Sequence, residues 1–225
     1  MVRMKKFVCL VLALAMLGTV LSAPVFADGG KYTTEITKDG WTKVTNDNGV
    51  ILGYTEASGV TIIEDDGYAF KDLNQNGILD AYEDWRLDAD TRAENLIEQM
   101  NVQEMLPLML LKEYDMQYSK GKIDSVTAEL DSGMRALCTP FVVGTAKEFA
   151  KYVNGIQAYV EGSLYGIPVE IDSETGLALS TEWPNHLTLG AAFDPEQAGT
   201  YGRMMSKEYR TMGISGMMAP QTDVA

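Results

Sequence analysis

Hydrophobic positions in this chain come first in short runs split by turn residues, and later at helical spacing. Between residues 31 and 71, runs such as Trp41–Val44, Val50–Leu52 and Val60–Ile63 are punctuated by Gly40, Asn48-Gly49, Ser58-Gly59 and Asp66-Gly67. Asn-Gly and Asp-Gly pairs accept positive φ at little cost, so the stretch predicts a small antiparallel β region. From Asp90 the pattern turns helical. Thr91-x-x-Glu94 has the form of a capping box, with Ala93, Leu96, Ile97 and Met100 on one apolar face. Asn101-x-x-Glu104 opens a further helical segment that Pro107 interrupts. Residues 114–133 are polar, contain Gly121 and Gly133, and predict a connecting loop.

From residue 134 strands and helices alternate. Met134–Thr139 is a candidate strand, and Thr145-x-x-Glu148 caps a helix whose face is Phe149, Tyr152, Val153, Ile156 and Val160, ending near Gly162. The run Ile167–Ile171 is too brief for a helix and begins beside Pro168, which predicts a buried strand over 167–172. Two carboxylates, Asp172 and Glu174, stand where it ends, followed by a long loop. Asp194-Pro195-Glu196 places an Asx cap, a proline and an acid at the start of a helix over 195–212, with Ala198, Tyr201, Met205 and Met212 on one face. Gly213 ends it, and Ile214–Ala219 is a third strand. Such alternation implies parallel strands covered by helices, either in a barrel or in an open doubly wound sheet. No G-x-G-x-x-G follows a strand, which weakens the dinucleotide-binding version. Carboxylates at the C-terminal end of a parallel strand are where barrel enzymes keep their chemistry.

Composition narrows the setting. Residues 1–27 combine a basic start (Arg3, Lys5, Lys6), the apolar run Phe7–Leu21 and an A-x-A-like site at Val25-Phe26-Ala27, the form of a bacterial secretory signal. The protein is therefore expected outside the cytoplasm, extracellular or periplasmic, with no membrane association once the signal is removed. That removal takes away three cations and no acid, moving the formal net charge from −14 to −17. So acidic a chain repels nucleic acid and anionic lipid, and favours a neutral partner such as sugar, or a cation. Cys9 leaves with the signal and Cys138 stays alone, which excludes an internal disulfide. A single histidine, His186, excludes His-rich zinc sites.

The most specific short motif is Asp72-Leu-Asn74-Gln-Asn76-Gly77-Ile78-Leu-Asp80-Ala-Tyr-Glu83, which fits D-x-[DN]-x-[DN]-G-x5-E. Side-chain oxygens of Asp72, Asn74, Asn76 and Asp80, the Ile78 carbonyl and a bidentate Glu83 make a ligand set for a hard cation, Ca2+. The competing role is a polar turn that caps the next helix. One copy without a preceding helix favours a structural staple over a sensor.

Four stretches together resemble glycoside hydrolase family 3, the β-glucosidase type. Phe70–Arg86 is similar to the lead-in of many secreted bacterial members, and Arg92–Met100 to the family's first helix. Gly166-Ile-Pro-Val169 with its carboxylates resembles the second barrel strand. The segment from Trp183-Pro184 through Asp194-Pro195, the helix after it and Ala219-Pro220-Gln-Thr-Asp223-Val-Ala225 resemble the following loop, helix and strand. The resemblance implies an α/β fold, the N-terminal part of a (β/α)8 TIM barrel with about three strands present, preceded by the β-hairpin region and the EF-hand-like loop. Residues 28–71 are then an N-terminal β-rich extension, 72–86 the calcium-loop-like segment and 87–225 an incomplete barrel domain.

The family hydrolyses terminal, non-reducing β-linked sugars with retention, using two carboxyl groups about 5–5.5 Å apart and no cofactor for catalysis. In the family the nucleophile is an Asp late in the barrel, and the acid/base comes from the second domain or a later loop. Both are expected beyond Ala225, so the chain is expected to be an N-terminal fragment, inactive alone. The resemblance carries over a sugar-binding carboxylate after the second strand: spacing from Pro168 puts Glu174 there, and the local D-x-E-x-G pattern puts Asp172 there. Asp223 matches an Asp after Ala-Pro in the third strand. Trp183 is a candidate stacking ring, although packing is the commoner fate of a lone tryptophan. His186 does not match the family's substrate-binding histidine and is expected to be structural. The competing function is a non-catalytic extracellular calcium-binding or carbohydrate-binding module, which predicts a second loop copy. A periplasmic solute-binding protein shares the signal and the α/β alternation, but not the Trp-Pro loop and Asp-Pro helix start.

Overall fold

The computed structural model describes residues 25–26, 30–114, 122–139, 144–174, 181 and 183–218; Asp223 and most of the expected signal segment lie outside them. The N-terminal part is β. Strands β1 (Val25–Phe26), β2 (Tyr32–Ile36), β3 (Trp41–Asn46) and β4 (Ile51–Thr55) form one antiparallel sheet in that order. Strands β5 (Thr61–Asp65) and β6 (Tyr68–Asp72) pair antiparallel beside it. The turn between β5 and β6 has positive φ at both Asp66 (50°) and Gly67 (80°), the twist a two-residue hairpin turn requires. At Asn48-Gly49 the glycine alone is left-handed, because its N–H closes back on the Asn46 carbonyl at 2.8 Å. The buried Asn46 side chain joins the two sheets, accepting from the Ala69 N–H at 2.9 Å.

Helix α1 (Ala89–Gln99) begins earlier than its Thr91-x-x-Glu94 pattern predicts. The cap is Asp88, whose carboxylate accepts from the Thr91 N–H at 2.9 Å and the Thr91 hydroxyl at 2.7 Å. An aspartate in extended conformation three residues ahead outcompetes the threonine for the free amides of the first turn. Its apolar face packs less than expected: Met100 is buried, while Ala93 and Ile97 are exposed. Helix α2 (Val102–Met105) has the reciprocal capping box of Asn101 and Glu104 and passes into a 3₁₀ turn at Pro107.

A strand that the hydrophobic pattern does not announce follows: β7 (Leu111–Glu113). The polar stretch after it also contains a short helix, α3 (Thr127–Asp131), where a loop is expected. Then come β8 (Ala136–Thr139), α4 (Ala146–Glu161), β9 (Glu170–Ser173), α5 (His186–Ala191), α6 (Pro195–Met212) and β10 (Gly216–Met217). Strands β7, β8, β9 and β10 form one parallel sheet in sequence order, so four parallel strands stand where three are expected. The ladder of β9 starts three residues later than Ile167. Pro168 has no N–H to give, and the Gln157 side chain takes both backbone groups of Val169, at 2.7 and 3.0 Å.

The core lies between this sheet and α4 and α6. Leu137 and Ile171 from the strands meet Phe149, Tyr152, Val153, Ile156 and Val160 of α4 and Met205, Tyr209 and Met212 of α6. Both helices therefore cover the same face of the sheet. Buried Arg135 closes its N-terminal edge, donating to the carbonyls of Leu130, Met134 and Ile167 and to Ser163. Burial lowers the pKa of its guanidinium from the usual arginine value. Lys71 of β6 pairs with Glu161 at the end of α4, and the backbone of Ser58 lies against Gly162, so the β region is seated on α4.

Candidate functional site

Directly paired residues of a parallel sheet point to the same face, and neighbours along a strand to opposite faces. Leu137 is paired with Ile171 and faces the helices; Cys138, paired with both Glu113 and Asp172, therefore faces the other way. Asp172 is in turn paired with Gly216. The face of the sheet away from the helices thus carries the row Glu113, Cys138, Asp172, Gly216 across all four strands. Cys138 is buried in it, its thiol 3.3 Å from the Met218 sulfur. Its pKa is raised, first by burial and then by the charges of Asp172, Glu113 and Glu174.

Gly216 explains how Asp172 fits. A Cβ at that position would run into the Asp172 carboxylate, with Cγ at 2.7 Å, and would stand 3.4 Å from Glu170 Oε1. Asp172 and Glu170 therefore both lie over the bare backbone of β10. Of the carboxylates expected from the sequence, Asp172 lies in the same face row as Glu113 and beside Glu170 over Gly216, and Glu174 follows the end of β9. Glu113 escapes sequence reasoning because its strand is only three residues long and reads Leu-Lys-Glu. Glu170 escapes because it precedes the expected strand end. Ser173, fully buried, donates to the Thr139 carbonyl at 2.8 Å and locks the ends of β8 and β9. The Tyr209 hydroxyl holds the Glu174 carbonyl at 2.8 Å, which fixes the start of the following loop to α6.

Chemically, this is a hydrogen-bond-accepting surface at the end of parallel strands, suited to hydroxyl donors. Trp183 is not part of it. Its indole N–H is spent on Glu208 at 3.1 Å and its ring packs edge-on against Tyr201 at 5.6 Å. His186 is exposed at the first position of α5, after the Asn185 cap.

The loop 72–83 turns sharply at Gly77, which has φ 76°. Asp72 and Glu83 are buried. Asp72 accepts from the Asn76 and Gly77 amides at 3.0 and 3.1 Å, and Glu83 from those of Leu73 and Asp80 at 2.6 and 3.0 Å. Asp80 accepts from the side-chain amides of Asn74 and Asn76 at 2.7 and 2.8 Å. Ile78 is exposed, its N–H on the Asn76 oxygen at 2.7 Å. The six sequence-predicted positions thus share one small loop, with the side-chain oxygens of Asp72, Asn74, Asn76, Asp80 and Glu83 engaged by amides. Among the described residues no three of His, Cys, Asp or Glu are grouped to hold a metal on their own, so a cation here would depend on the asparagine and carbonyl oxygens as well. No described helix is long and apolar enough to cross a membrane.

No family model matches the chain. Two curated proteins do. The chain is 28% identical over 195 residues to the periplasmic beta-glucosidase/beta-xylosidase of Dickeya chrysanthemi, covering 76% of this chain and 29% of that protein. It is 24% identical over 174 residues to beta-glucosidase C of Emericella nidulans, covering 68% and 27%. The chain therefore spans less than a third of the length of these relatives. The resemblance to β-glucosidase-type glycoside hydrolases, carried in the sequence by ordered motifs from residue 70 onward, is borne out by both.

Proposed function

We propose that this chain forms the sugar-binding wall of a secreted, retaining β-glucosidase-type glycoside hydrolase. In this proposal the wall belongs to part of a (β/α)8 barrel, and the nucleophile and acid/base come from beyond Ala225. The single observation that carries the proposal is the carboxylate of Asp172, laid over Gly216 on the face of the parallel sheet away from its helices. In a barrel that face lines the interior, and its strand ends face substrate. The sequential strand order, with both long helices on one face, supports a barrel over a doubly wound sheet, in which helices cover both faces. Asp172 accepts hydrogen bonds from hydroxyls of the non-reducing sugar. Glu174, which follows β9, and Asp223, assigned from the sequence alone, are proposed for the same role.

The protein from the complete reading frame should release p-nitrophenol from aryl β-glucosides or β-xylosides. Asp172→Asn should raise KM more than it changes kcat, because it weakens binding and leaves the reacting groups in place. Absence of turnover on every common aryl β-glycoside would overturn the proposal.

The same proposal gives loop 72–83 a structural Ca2+, held by Asp72, Asn74, Asn76, the Ile78 carbonyl, Asp80 and Glu83. Its support is that the side-chain oxygens of Asp72, Asn74, Asn76, Asp80 and Glu83 are gathered by hydrogen bonds within one turn at Gly77. Ca2+ at about a hundred times its Kd should then stabilise the protein by roughly 2.7 kcal/mol relative to EDTA. Identical melting curves in Ca2+ and EDTA would refute it.

A further inference from the structure

A cleft of about 540 Å3 lies between the N-terminal sheet and the solvent face of α4, well within the roughly 300–1,000 Å3 of small-ligand sites. The β side supplies Thr37, Asp39, Trp41 and Thr55, and the helix supplies Lys151 and Asn154. The helix residues belong to the stripe opposite the core-facing Tyr152, Val153 and Ile156, so they are not recruited to the sheet.

Three features separate this cleft from an incidental surface hollow. Trp41 is half-buried, and its Cε3 lies 3.8 Å from where a Gly53 Cβ would stand, so the ring rests across a strand position that has no side chain. Covering a strand glycine accounts for that contact, but it leaves the indole N–H unpaired among the described residues. The side chains of Asp39, Lys151 and Asn154 likewise have no hydrogen-bond or ion-pair partner among the described residues, although they converge on one space. The charges lining the cleft are one acid and one base, so the cleft is locally balanced in a chain of net charge −14.

An aromatic ring surrounded by unpaired hydrogen-bonding groups of balanced charge matches a ligand with an apolar face, many hydroxyls and no charge. Sugars with equatorial hydroxyls have that form: their C–H faces stack on indole while the hydroxyls reach side-chain amides and carboxylates. We infer that this cleft binds a neutral β-glucan chain, as a second sugar site separate from the ends of the parallel strands. The choice of a β-linked glucan rests on the β-glycosidase proposal; the existence of a sugar site rests on the cleft.

The test is calorimetric titration of the 225-residue chain with cellohexaose and laminarihexaose, for wild type and for Trp41→Ala, Asn154→Ala and Asp172→Ala. Wild type should bind one of the two probes. Trp41→Ala should weaken binding on the order of tenfold, through loss of the stacking face. Asn154→Ala, on an exposed helical surface where folding is undisturbed, should weaken it roughly fivefold. Asp172→Ala should leave a clear residual binding event. No binding by wild type, or binding untouched by Trp41→Ala and Asn154→Ala, overturns the inference. Binding lost in Asp172→Ala alone overturns it while leaving the strand-end proposal standing. Binding lost in the cleft variants, with no aryl β-glycoside cleavage by the longer protein, keeps the cleft and removes the hydrolase.

Discussion

Gly162→Ala tests the seating of the β region on α4 through the sign of its effect. Gly162 ends α4 with φ −85° and ψ 9°, a conformation open to alanine. On backbone grounds alone the substitution would stabilise by about 0.4–1 kcal/mol, by restricting the unfolded chain. The added Cβ, however, would stand inside contact distance of the Ser58 carbonyl oxygen, 3.0 Å from its carbonyl carbon and 3.3 Å from its Cα. These are backbone atoms and cannot rotate aside. Overpacking of this kind costs about 1–3 kcal/mol, so the net change is roughly 1–2 kcal/mol destabilising. In a domain of this size that lowers Tm by about 2–8 °C. Urea denaturation of Gly162→Ala should show a lower midpoint with an unchanged slope. Gly202→Ala is the control: nothing lies within 4 Å of its Cβ inside α6, and it should gain about 1 kcal/mol. If Gly162→Ala also stabilises, the β region does not rest on α4 as described.

Ile156 is fully buried at the centre of the core, so Ile156→Ala should cost about 2–5 kcal/mol in urea denaturation. Asp194→Ala removes the acceptor of the Glu196 and Gln197 amides and should lower stability by about 1 kcal/mol, read as a fall in Tm. Hydrogen bonds from Arg86, at 2.7–3.1 Å, hold the Asp84 carboxyl below its usual pKa. Its contribution should be complete above the unfolded carboxyl pKa of about 3.9 and lost as pH falls through the lowered folded value. In urea midpoints measured from pH 6 to pH 2.5, the gap between wild type and Asp84→Asn should be constant at high pH and close toward acid. A gap that persists unchanged at the acid end would refute the pairing.

The long helices were legible where their ends carry local chemistry. Thr145 with Glu148, Asp194-Pro195 and Gly213 each settle backbone amides or turn the chain within a few residues, so the bounds of α4 and α6 follow from neighbours in sequence. What was illegible depends on groups distant along the chain. Strand β7 is Leu-Lys-Glu and becomes a strand because Ala136, Leu137 and Cys138 lie beside it. The late start of β9 depends on Gln157, a residue of the preceding helix. At α1 the sequence pattern offers Thr91, whereas the cap in the structure is Asp88, whose carboxylate accepts the Thr91 N–H. The candidate site divides likewise. Asp172 stands out as a carboxylate at a strand end, whereas Glu113 gains its place only through the sheet register, and Asp223 lies outside the described residues.

Lys71 and Glu161 are 90 positions apart in the chain, yet they meet at the last turn of α4. The turn that receives this lysine is one end of the helix whose middle holds the parallel sheet. Val160 and Glu161 of that turn are buried and Lys71 is set against Glu161, so the exchange of their amides with deuterium should report on the β region as well as on the helix. Slow exchange at Val160 and Glu161, accelerated together by loss of Lys71, would mark the two regions as one cooperative unit of opening.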